Sequence, residues 1–231
     1  MRWDALCRRE DDGGDVVVAD LTDHPALRAG LEGVDAVLHV AALFSFKASD
    51  GAAMRQNNPA STEVILDAAR DLGLDPVVYV STIGVFMPPL GSDLSADDDL
   101  STGCGPYTDS KIAAEQVARR HQAEGAPVTC VYPGGVIGPS DPSPDLSDSM
   151  GTVRAGLRGS VSHCPAEIGV GWVNVRDVAG VWVGALVPGR EPGRYLVSGG
   201  MVAMGDVTEL FTELTGRSFR HLSPPAPVML G

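Results

Sequence analysis

Short apolar runs rich in β-branched residues alternate with segments of helical periodicity along the first half of the chain. The runs are "DVVVAD" (15–20), "DAVLHVAA" (35–42), "PVVYVST" (76–82) and "PVTCVYP" (127–133). The helical segments cover roughly 24–32, 59–72 and 107–124. Nearly continuous apolar runs are typical of strands buried on both faces, and strand–helix–strand alternation favours parallel pairing. The sequence therefore predicts an α/β fold with a doubly wound parallel sheet.

The second half of the chain predicts further elements at less regular intervals. Helical periodicity covers "VNVRDVAGVWVGAL" (173–186) and "GDVTELFTELTG" (205–216), and Gly216 is a typical helix-ending residue. The run "RYLVSGG" (194–200) predicts another strand. These elements extend the α/β pattern toward the C-terminus.

Two loops rich in Pro, Asp, Ser and Gly lie at 87–106 and 138–150, each after a predicted strand. Open α/β sheets bind ligands beyond the carboxyl ends of their strands, so these loops are candidate walls of a site. Because no internal repeat or low-complexity linker divides the chain, we expect a single domain over 1–231. Within it, segments 134–171 and 188–231 are expected to form a small C-terminal substrate-side or lid portion.

Charge and hydropathy exclude several classes of partner. A formal net charge of −13 repels phosphate backbones, so nucleic acid and anionic membrane surfaces are poor partners. No stretch of 18 apolar residues is present, and the first residues lack the apolar core of a signal peptide. We therefore expect a cytoplasmic protein that acts on a small molecule.

Cysteine and histidine residues are scattered along the chain. The four cysteines show no C-x-x-C pairing, which argues against a zinc site or a disulfide framework and fits a reducing compartment. The five histidines are equally dispersed, so no metal site is expected.

The stretch "GPYTDSKIAAEQVARRH" (105–121) places a tyrosine and a lysine four residues apart at the start of a predicted helix. That spacing puts Tyr107 and Lys111 on one face, one turn apart. A nearby ammonium lowers the pKa of a phenol, whose ordinary value of about 10 is too high for proton transfer at neutral pH. The spacing alone fits an exposed helix surface equally well, so the rest of the chain decides between the two interpretations.

Seven short motifs follow one another along the chain: "VADLTD", "HVAALFSF", "NNPAST", "VYVSTIGVF", "YTDSK", "YPGGVIGP" and "WVNVRDVA". In this order they resemble the extended short-chain dehydrogenase/reductase family, also called the NAD-dependent epimerase/dehydratase family. The resemblance runs from about Trp3 to Gly216 and is strongest to members similar to dihydroflavonol reductase and 3β-hydroxysteroid dehydrogenase. It implies a Rossmann-like fold that binds NADP or NAD.

The resemblance implies a catalytic set of three residues. Tyr107 and Lys111 match the family's Tyr-x-x-x-Lys, in which the tyrosine is the general acid/base and the lysine lowers its pKa and holds the nicotinamide ribose. Thr82 matches the hydroxyl that orients the substrate oxygen, and its neighbour Ser81 falls in the cofactor set. Without the resemblance, a hydroxyl at a strand end is expected to serve packing.

The resemblance also implies cofactor-binding positions. Those at the adenine end, or where the backbone passes close to the cofactor, are Asp20, Leu21, Ala41 and Ala42. Those in the stretch that holds the nicotinamide carboxamide are Pro133, Gly134, Gly135 and Val136. A turn or helix cap explains Asp20 equally well, and core packing explains the alanines. Asn58 is expected to cap a helix, and Asp177 to be architectural.

The family's first strand, its glycine-rich G-x-x-G-x-x-G turn and the helix after it have no match in the chain. The N-terminus of that helix binds the cofactor's pyrophosphate. We therefore expect a fold missing its first strand and glycine loop, as in a fragment or a mis-started gene. Such a chain is expected to bind dinucleotide poorly until about 30 upstream residues, one strand–turn–helix unit, are restored. Its uncovered sheet edge is expected to pair with a second copy, as in a homodimer.

Arg8 and Arg9 follow a short apolar stretch that resembles the end of the family's second strand. An arginine fork suits a 2′-phosphate, which predicts a preference for NADP over NAD. A solvated basic pair is an equally good interpretation.

Three functions are compatible with these motifs. Phe44 and Phe46, just past a predicted strand end, favour an NAD(P)-dependent oxidoreductase that interconverts a secondary alcohol and a ketone on a small apolar substrate, although core packing explains them nearly as well. A nucleotide-sugar epimerase or dehydratase is the second function, but Gly171 and Trp172 stand where the sugar-specific members often carry an Arg-Asp pair. A non-catalytic binding module or inactive fragment is the third.

Overall fold

The computed structural model describes residues 17–45, 47–87, 93–103, 105–139, 148–159, 161–163 and 169–222. These residues fall into two compact units. The first combines the described parts of Met1–Tyr132 with Trp182–Leu196, and the second combines those of Pro133–Val181 with Val197–Gly231. The expectation of a single domain stays a prediction.

The described residues form nine β-strands and six α-helices. The strands are β1 (Val37–His39), β2 (Val77–Val80), β3 (Val128–Pro133), β4 (Gly135–Ile137), β5 (Val161–His163), β6 (Gly169–Asn174), β7 (Arg194–Val197), β8 (Met201–Ala203) and β9 (Arg220–Leu222). The helices are α1 (His24–Ala29), α2 (Gly51–Leu72), α3 (Pro106–Ala123), α4 (Asp148–Arg158), α5 (Val175–Ala185) and α6 (Met204–Thr215). Short 3-10 helices cover Ala48–Asp50 and Ile83–Phe86.

A four-stranded sheet with the order β1-β2-β3-β7 organises the first unit. β1 and β2 pair in parallel with Val37 opposite Val77, and β2 and β3 pair in parallel with Val78 opposite Thr129. Every residue of β2 and β3 is buried, as expected for strands covered on both faces. α2 and α3 make the crossovers between these strands, which confirms the predicted α/β Rossmann-like fold.

α2 begins at Gly51, well before the predicted start at residue 59. Pro59 is typical of a first helical turn but lies in the helix interior. Packing stabilises the early start, because Met54 is buried and a Cβ added at Gly51 would lie 3.0 Å from the Pro106 side chain. Tertiary contacts therefore override the local signal of the proline.

α3 lies within one residue of the helix predicted over 107–124, and it packs against α2. Pro106 occupies its first turn, where the missing N–H leaves no bond unmade. Three ionisable side chains, Lys111, Glu115 and His121, are buried on this helix. None of the helices in the described ranges is both long enough and apolar enough to cross a membrane.

Two other predictions differ from the structure. The strand predicted over 15–20 is wrong for residues 17–20, which form no strand, and Val17 and Val18 are 61% and 71% exposed. The described sheet ends at β1, so these valines have no strand partner to bury them. The helix predicted from 173 begins at Val175 instead, because the Asn174 side chain accepts the Arg176 backbone N–H at 2.9 Å and the residues before it form β6.

The second unit contains a three-stranded sheet with the order β4-β6-β8 and a separate parallel pair of β5 and β9. β4 and β6 run parallel, whereas β6 and β8 run antiparallel. α6 ends as predicted at Gly216, which has a left-handed φ of 67°.

Gly134 joins β3 to β4 where two backbone segments of the second unit come close. Its N–H donates a hydrogen bond to the Val197 carbonyl oxygen at 3.0 Å. A Cβ at this position would overlap the carbonyl oxygen of Gly171. The close approach therefore requires a glycine.

We predict that Gly134→Ala lowers the free energy of unfolding by about 1–3 kcal/mol, because the backbone of Gly171 cannot move aside easily. Gly180→Ala is the matched control. A Cβ at Gly180 on α5 would meet no atom within 4 Å, so this change should be neutral or stabilising, by up to about 1 kcal/mol. Urea unfolding measures both variants, and parental stability in Gly134→Ala would contradict the prediction.

Candidate active site

Two hydroxyl residues follow the carboxyl end of β2. Thr82 caps the 3-10 helix Ile83–Phe86, and its Oγ1 accepts the Gly84 backbone N–H at 3.2 Å. That bond uses an oxygen lone pair, so the Thr82 hydroxyl keeps its proton for donation to a ligand. Ser81 is buried, and its Oγ has no hydrogen-bond partner within the described parts of the chain.

Lys111 is buried against this strand end, with 3% of its surface exposed. Its Nζ donates a hydrogen bond to the Val80 carbonyl oxygen at 3.0 Å and lies 4.7 Å from the centroid of the Tyr79 ring. Burial lowers the pKa of the Lys111 ammonium to about 8, so the side chain is charged at neutral pH. α3 therefore brings a positive charge to the carboxyl end of β2.

Tyr107 lies in the first turn of α3, one turn before Lys111. Its ring packs edge-on against Phe44, with the centroids 4.5 Å apart and the ring planes at 75°. Phe44 follows β1, and parallel strands present their carboxyl ends at one edge of a sheet, so Phe44 and Thr82 belong to the same edge. The first unit thus contains all three predicted catalytic residues, Thr82, Tyr107 and Lys111.

Asn58 connects the segment after β1 to the first turn of α3. Its Oδ1 accepts the Leu43 N–H at 2.7 Å, and its Nδ2 donates to the Leu43 carbonyl at 3.0 Å and to Ser110 Oγ at 2.9 Å. Ser110 in turn donates to the Tyr107 carbonyl oxygen at 2.7 Å. Because Asn58 lies inside α2, its predicted role as a helix cap is wrong. The side chain instead fixes two segments that meet at the site.

Sequence reasoning missed the buried ionisable residues His39 and Glu115 of this unit. His39 on β1 has its Nε2 3.2 Å from Thr62 Oγ1, and burial lowers the pKa of His39 to about 3, so its imidazole is neutral. Glu115 is fully buried and accepts hydrogen bonds from Tyr132 Oη at 2.7 Å and Arg119 Nε at 3.1 Å. The four-residue spacing of Glu115 and Arg119 was the available signal, and it is equally common on exposed helices.

Asp20 and Leu21, the predicted contacts of the adenine end, line a cavity of about 400 Å³ in the first unit. Leu43, Phe44 and Asn57 are among its other lining residues. Asp20 Oδ1 accepts hydrogen bonds from the hydroxyl of Thr22 at 2.7 Å and from its N–H at 2.8 Å, and these bonds lower the pKa of Asp20. Asp20 therefore forms the turn that the sequence offered as the alternative to cofactor binding. It also borders a cavity that a ligand could enter.

Ala41 and Ala42 follow β1 in the first unit and are half-buried. The carboxamide stretch, from Pro133 to Val136, belongs to the second unit, where Val136 pairs with Val173. The cofactor contacts of both groups stay predictions.

Three residues named from the sequence lie outside the described residues. They are Arg8, Arg9 and Phe46. The preference for NADP that rests on the two arginines stays a prediction.

Glu63 and Asp67 of α2 and His121 of α3 bring potential metal ligands within 4.8 Å of one another. Arg120 Nη2 donates to both oxygens of Glu63 at 2.5 and 2.6 Å, and Arg70 pairs with Asp67 at 2.8 Å. Both carboxylates thus already have cationic partners. The expectation that the protein holds no metal stays a prediction.

Comparison with known proteins gives a family match over most of the chain. Residues 2–197 match the profile of the NAD dependent epimerase/dehydratase family. The matched residues include the motifs that carry Thr82, Tyr107 and Lys111.

Curated relatives are 29–30% identical to the chain over the aligned residues. Sterol demethylase protein B of Methylococcus capsulatus is 30% identical over 92% of this chain and 64% of its own length. A putative dihydroflavonol 4-reductase of Synechocystis is 29% identical over 87% and 60%, and cinnamoyl-CoA reductase 1 of Arabidopsis thaliana is 30% identical over 85% and 58%. The chain therefore spans about three fifths of the length of these relatives.

Solved structures share the fold. MoeE5 in complex with UDP-glucose and NAD has a TM-score of 0.69 and 25% identity over 85% of this chain and 68% of its own. A short-chain dehydrogenase/reductase superfamily protein from Agrobacterium tumefaciens with bound NAD has a TM-score of 0.75 and 22% identity over 94% and 76%. Both support the Rossmann-like assignment.

We predict that Asn58→Ala lowers the free energy of unfolding by about 2–4 kcal/mol, because it leaves the Leu43 backbone groups and the Ser110 hydroxyl without their partner. Asn57→Ala, the neighbouring amide on α2, is the matched control and should change stability by less than about 1 kcal/mol. Urea unfolding without ligand compares the two. Equal losses would show that Asn58 does not connect these segments.

We predict that the stability of the parent relative to a Lys111→Met variant depends on pH, because burial disfavours the Lys111 ammonium but not the neutral amine. The folded-state pKa of about 8 lies below the ordinary value of 10.5, so between these values the folded protein binds fewer protons than the unfolded chain. Stability of the parent therefore rises with pH across that interval.

The difference in free energy of unfolding between the parent and Lys111→Met should accordingly be constant below pH 8. Between pH 8 and pH 10.5 it should move in favour of the parent by on the order of 1–3 kcal/mol. Urea unfolding across this range measures it. A difference that does not change with pH across this interval would contradict the prediction.

Proposed function

The chain belongs to the NAD dependent epimerase/dehydratase family, and from that premise we propose that it is an NAD(P)-dependent oxidoreductase interconverting a secondary alcohol and a ketone. One observation carries the proposal. The buried Lys111 ammonium is bonded to the Val80 carbonyl at the end of β2, one turn from Tyr107. A buried cation beside a phenol suits general acid/base chemistry, and a surface role does not need it.

The residues present fit a nicotinamide dinucleotide. Asp20 and Leu21 border a cavity large enough for part of such a ligand, and the half-buried Ala41 and Ala42 allow a close approach to the end of β1. The buried Ser81 Oγ at the end of β2 lacks a partner among the described residues, which is the state of a group that meets a ligand. When bound, the reduced cofactor supplies the hydride.

The chain's own residues supply the proton and the orientation. In the reductive direction, Tyr107 gives its phenolic proton to the carbonyl oxygen as that oxygen gains negative charge. The Thr82 hydroxyl donates a hydrogen bond to the same oxygen and fixes its direction. The Lys111 ammonium favours the phenolate that Tyr107 becomes, and in alcohol oxidation the same groups act in reverse.

The aromatic contact between Phe44 and Tyr107 favours a small apolar substrate. The names of the curated relatives, which include reductases of dihydroflavonol and cinnamoyl-CoA, support this class. The complex of MoeE5 with UDP-glucose supports a second candidate, a nucleotide-sugar epimerase or dehydratase. Turnover of aryl ketones with NADPH or NADH, compared with conversion of UDP-sugars with NAD, distinguishes the two.

We predict that Tyr107→Phe lowers turnover by at least about 100-fold, the low end for loss of a general acid/base. Cofactor affinity should change much less, because the ring and its contact with Phe44 remain. Nicotinamide absorbance follows turnover, and nicotinamide fluorescence follows binding. The assay is run on the chain and on a version extended through any in-frame upstream sequence.

Tyr195→Phe on β7 is the matched control, since it removes a phenolic hydroxyl at a position with no assigned part in the reaction. It should keep the parental rate. Turnover of Tyr107→Phe within a few-fold of the parent would overturn the assignment of Tyr107. Cofactor binding with no turnover of any substrate class in the parent would instead favour a binding module.

A further inference from the structure

Glu115 is a buried carboxylate for which the proposed chemistry has no use. It lies four residues after Lys111 on α3 and is 0% exposed. Its Oε1 accepts two hydrogen bonds, from Tyr132 Oη and from Arg119 Nε, whereas its Oε2 is buried with no hydrogen-bond partner among the described residues. Burying a carboxylate is unfavourable unless a cation compensates it, so Glu115 needs a cationic partner nearby.

Lys111, Glu115 and Arg119 follow one another at intervals of four residues, which places them along one face of α3. Each step advances about 6 Å along the helix axis, so Glu115 lies between the two cations. Arg119 is fixed on its far side by bonds from its guanidinium to the carbonyl oxygens of Asp98 at 3.1 Å and Ala96 at 3.4 Å. The carboxylate is therefore held in place one helical turn from Lys111.

Other titratable groups facing Lys111 are uncharged at neutral pH. Burial lowers the pKa of His39 on β1 to about 3, which leaves the imidazole neutral. Burial raises the pKa of the Tyr79 phenol on β2 well above its ordinary value, and it does the same to the Cys130 thiol on β3. Burial likewise raises the pKa of Tyr132, the phenol that donates to Glu115. Tyr107, on the same helix, is the proton donor that Lys111 serves.

We propose that Glu115 is a positioning residue: its carboxylate, paired with Arg119 and one helical turn from Lys111, supplies the negative charge that keeps the Lys111 side chain an ammonium at the end of β2. The proposal rests on the proposed function for its catalytic consequence, because there Lys111 acts on Tyr107. A purely structural role would instead make Glu115 a hydrogen-bonded tie between α3 and Tyr132 of β3. Only the first role predicts that the charge of Glu115 changes the pKa of Lys111.

The effect of the Glu115 charge on the pKa of Lys111 has a sign that can be measured. Burial lowers the pKa of Lys111 to about 8, and the negative charge of Glu115 acts against that fall. Glu115→Gln keeps the shape and an acceptor oxygen but removes the charge, so the pKa of Lys111 must fall further. Arg119→Met removes the cation on the other side of Glu115 and keeps a long apolar stem, so the pKa of Lys111 must rise.

The chain has only two lysines, Lys47 and Lys111, so protein labelled with isotopic carbon at lysine Cε gives two lysine NMR signals. Lys111→Arg removes one signal and assigns both. In Glu115→Gln the midpoint of the Lys111 titration should move down by about one pH unit, a tenfold loss of proton affinity. In Arg119→Met it should move up by about half a unit. Glu124→Gln, an exposed carboxylate after the end of α3, is the matched control and should leave the midpoint in place.

Tyr132→Phe removes the hydrogen bond and keeps the charge, so it should also leave the Lys111 midpoint in place. An unchanged midpoint in folded Glu115→Gln, or a shift in the same direction in Glu115→Gln and Arg119→Met, would overturn the proposal. Should Glu115→Gln fail to fold, Arg119→Met and Tyr132→Phe decide it, the first by moving the midpoint up and the second by leaving it unchanged. If Tyr132→Phe moves the Lys111 midpoint as far as Arg119→Met does, the proposal is overturned.

The pH dependence of turnover separates this proposal from the function on which it rests. The alkaline limb of the profile should move to lower pH in Glu115→Gln by the shift that NMR measures. A Lys111 midpoint that moves while turnover keeps its pH profile supports the electrostatic role of Glu115 and overturns the catalytic role of Lys111.

Discussion

The burial of one ammonium group organises the first unit of this protein. Lys111 is removed from water and donates to the carbonyl oxygen of Val80, so α3 is bonded to the carboxyl end of a central strand by a charged side chain. Burying a charge is unfavourable unless hydrogen bonds and opposite charge compensate it. The Tyr79 ring and the Glu115 carboxylate provide that compensation, and the neighbouring imidazole of His39 stays neutral.

The same edge of the sheet is fixed from a second side by an uncharged amide. Asn58 bonds to both backbone groups of Leu43 and, through Ser110, to the first turn of α3. The rings of Phe44 and Tyr107, which belong to the two segments that Asn58 connects, pack edge-on against each other. The buried charge of Lys111 and the hydrogen-bonded amide of Asn58 together hold Tyr107, the candidate acid/base, in one position. Proton transfer at a defined atom requires such pre-organisation.

The elements that the sequence predicts well are those whose signal is local. β2, β3 and α3 have continuous apolar runs or a clear helical period, and all three lie where the pattern placed them. The start of α2 was missed because Pro59 is a strong local signal, whereas Gly51 is held by packing on α3. The role of Asn58 was predicted wrongly and Glu115 was missed, because both depend on partners distant in the chain. Neither residue has a spacing that distinguishes it from an exposed helical residue.

We infer that the buried Lys111 marks the place where a nicotinamide cofactor binds. The most direct test is titration of NADPH and NADH into protein labelled at lysine Cε, with the Lys111 resonance followed by NMR. We expect this resonance to shift in proportion to the bound fraction measured by nicotinamide fluorescence. Saturation of the protein by either cofactor without a change at Lys111 would contradict it.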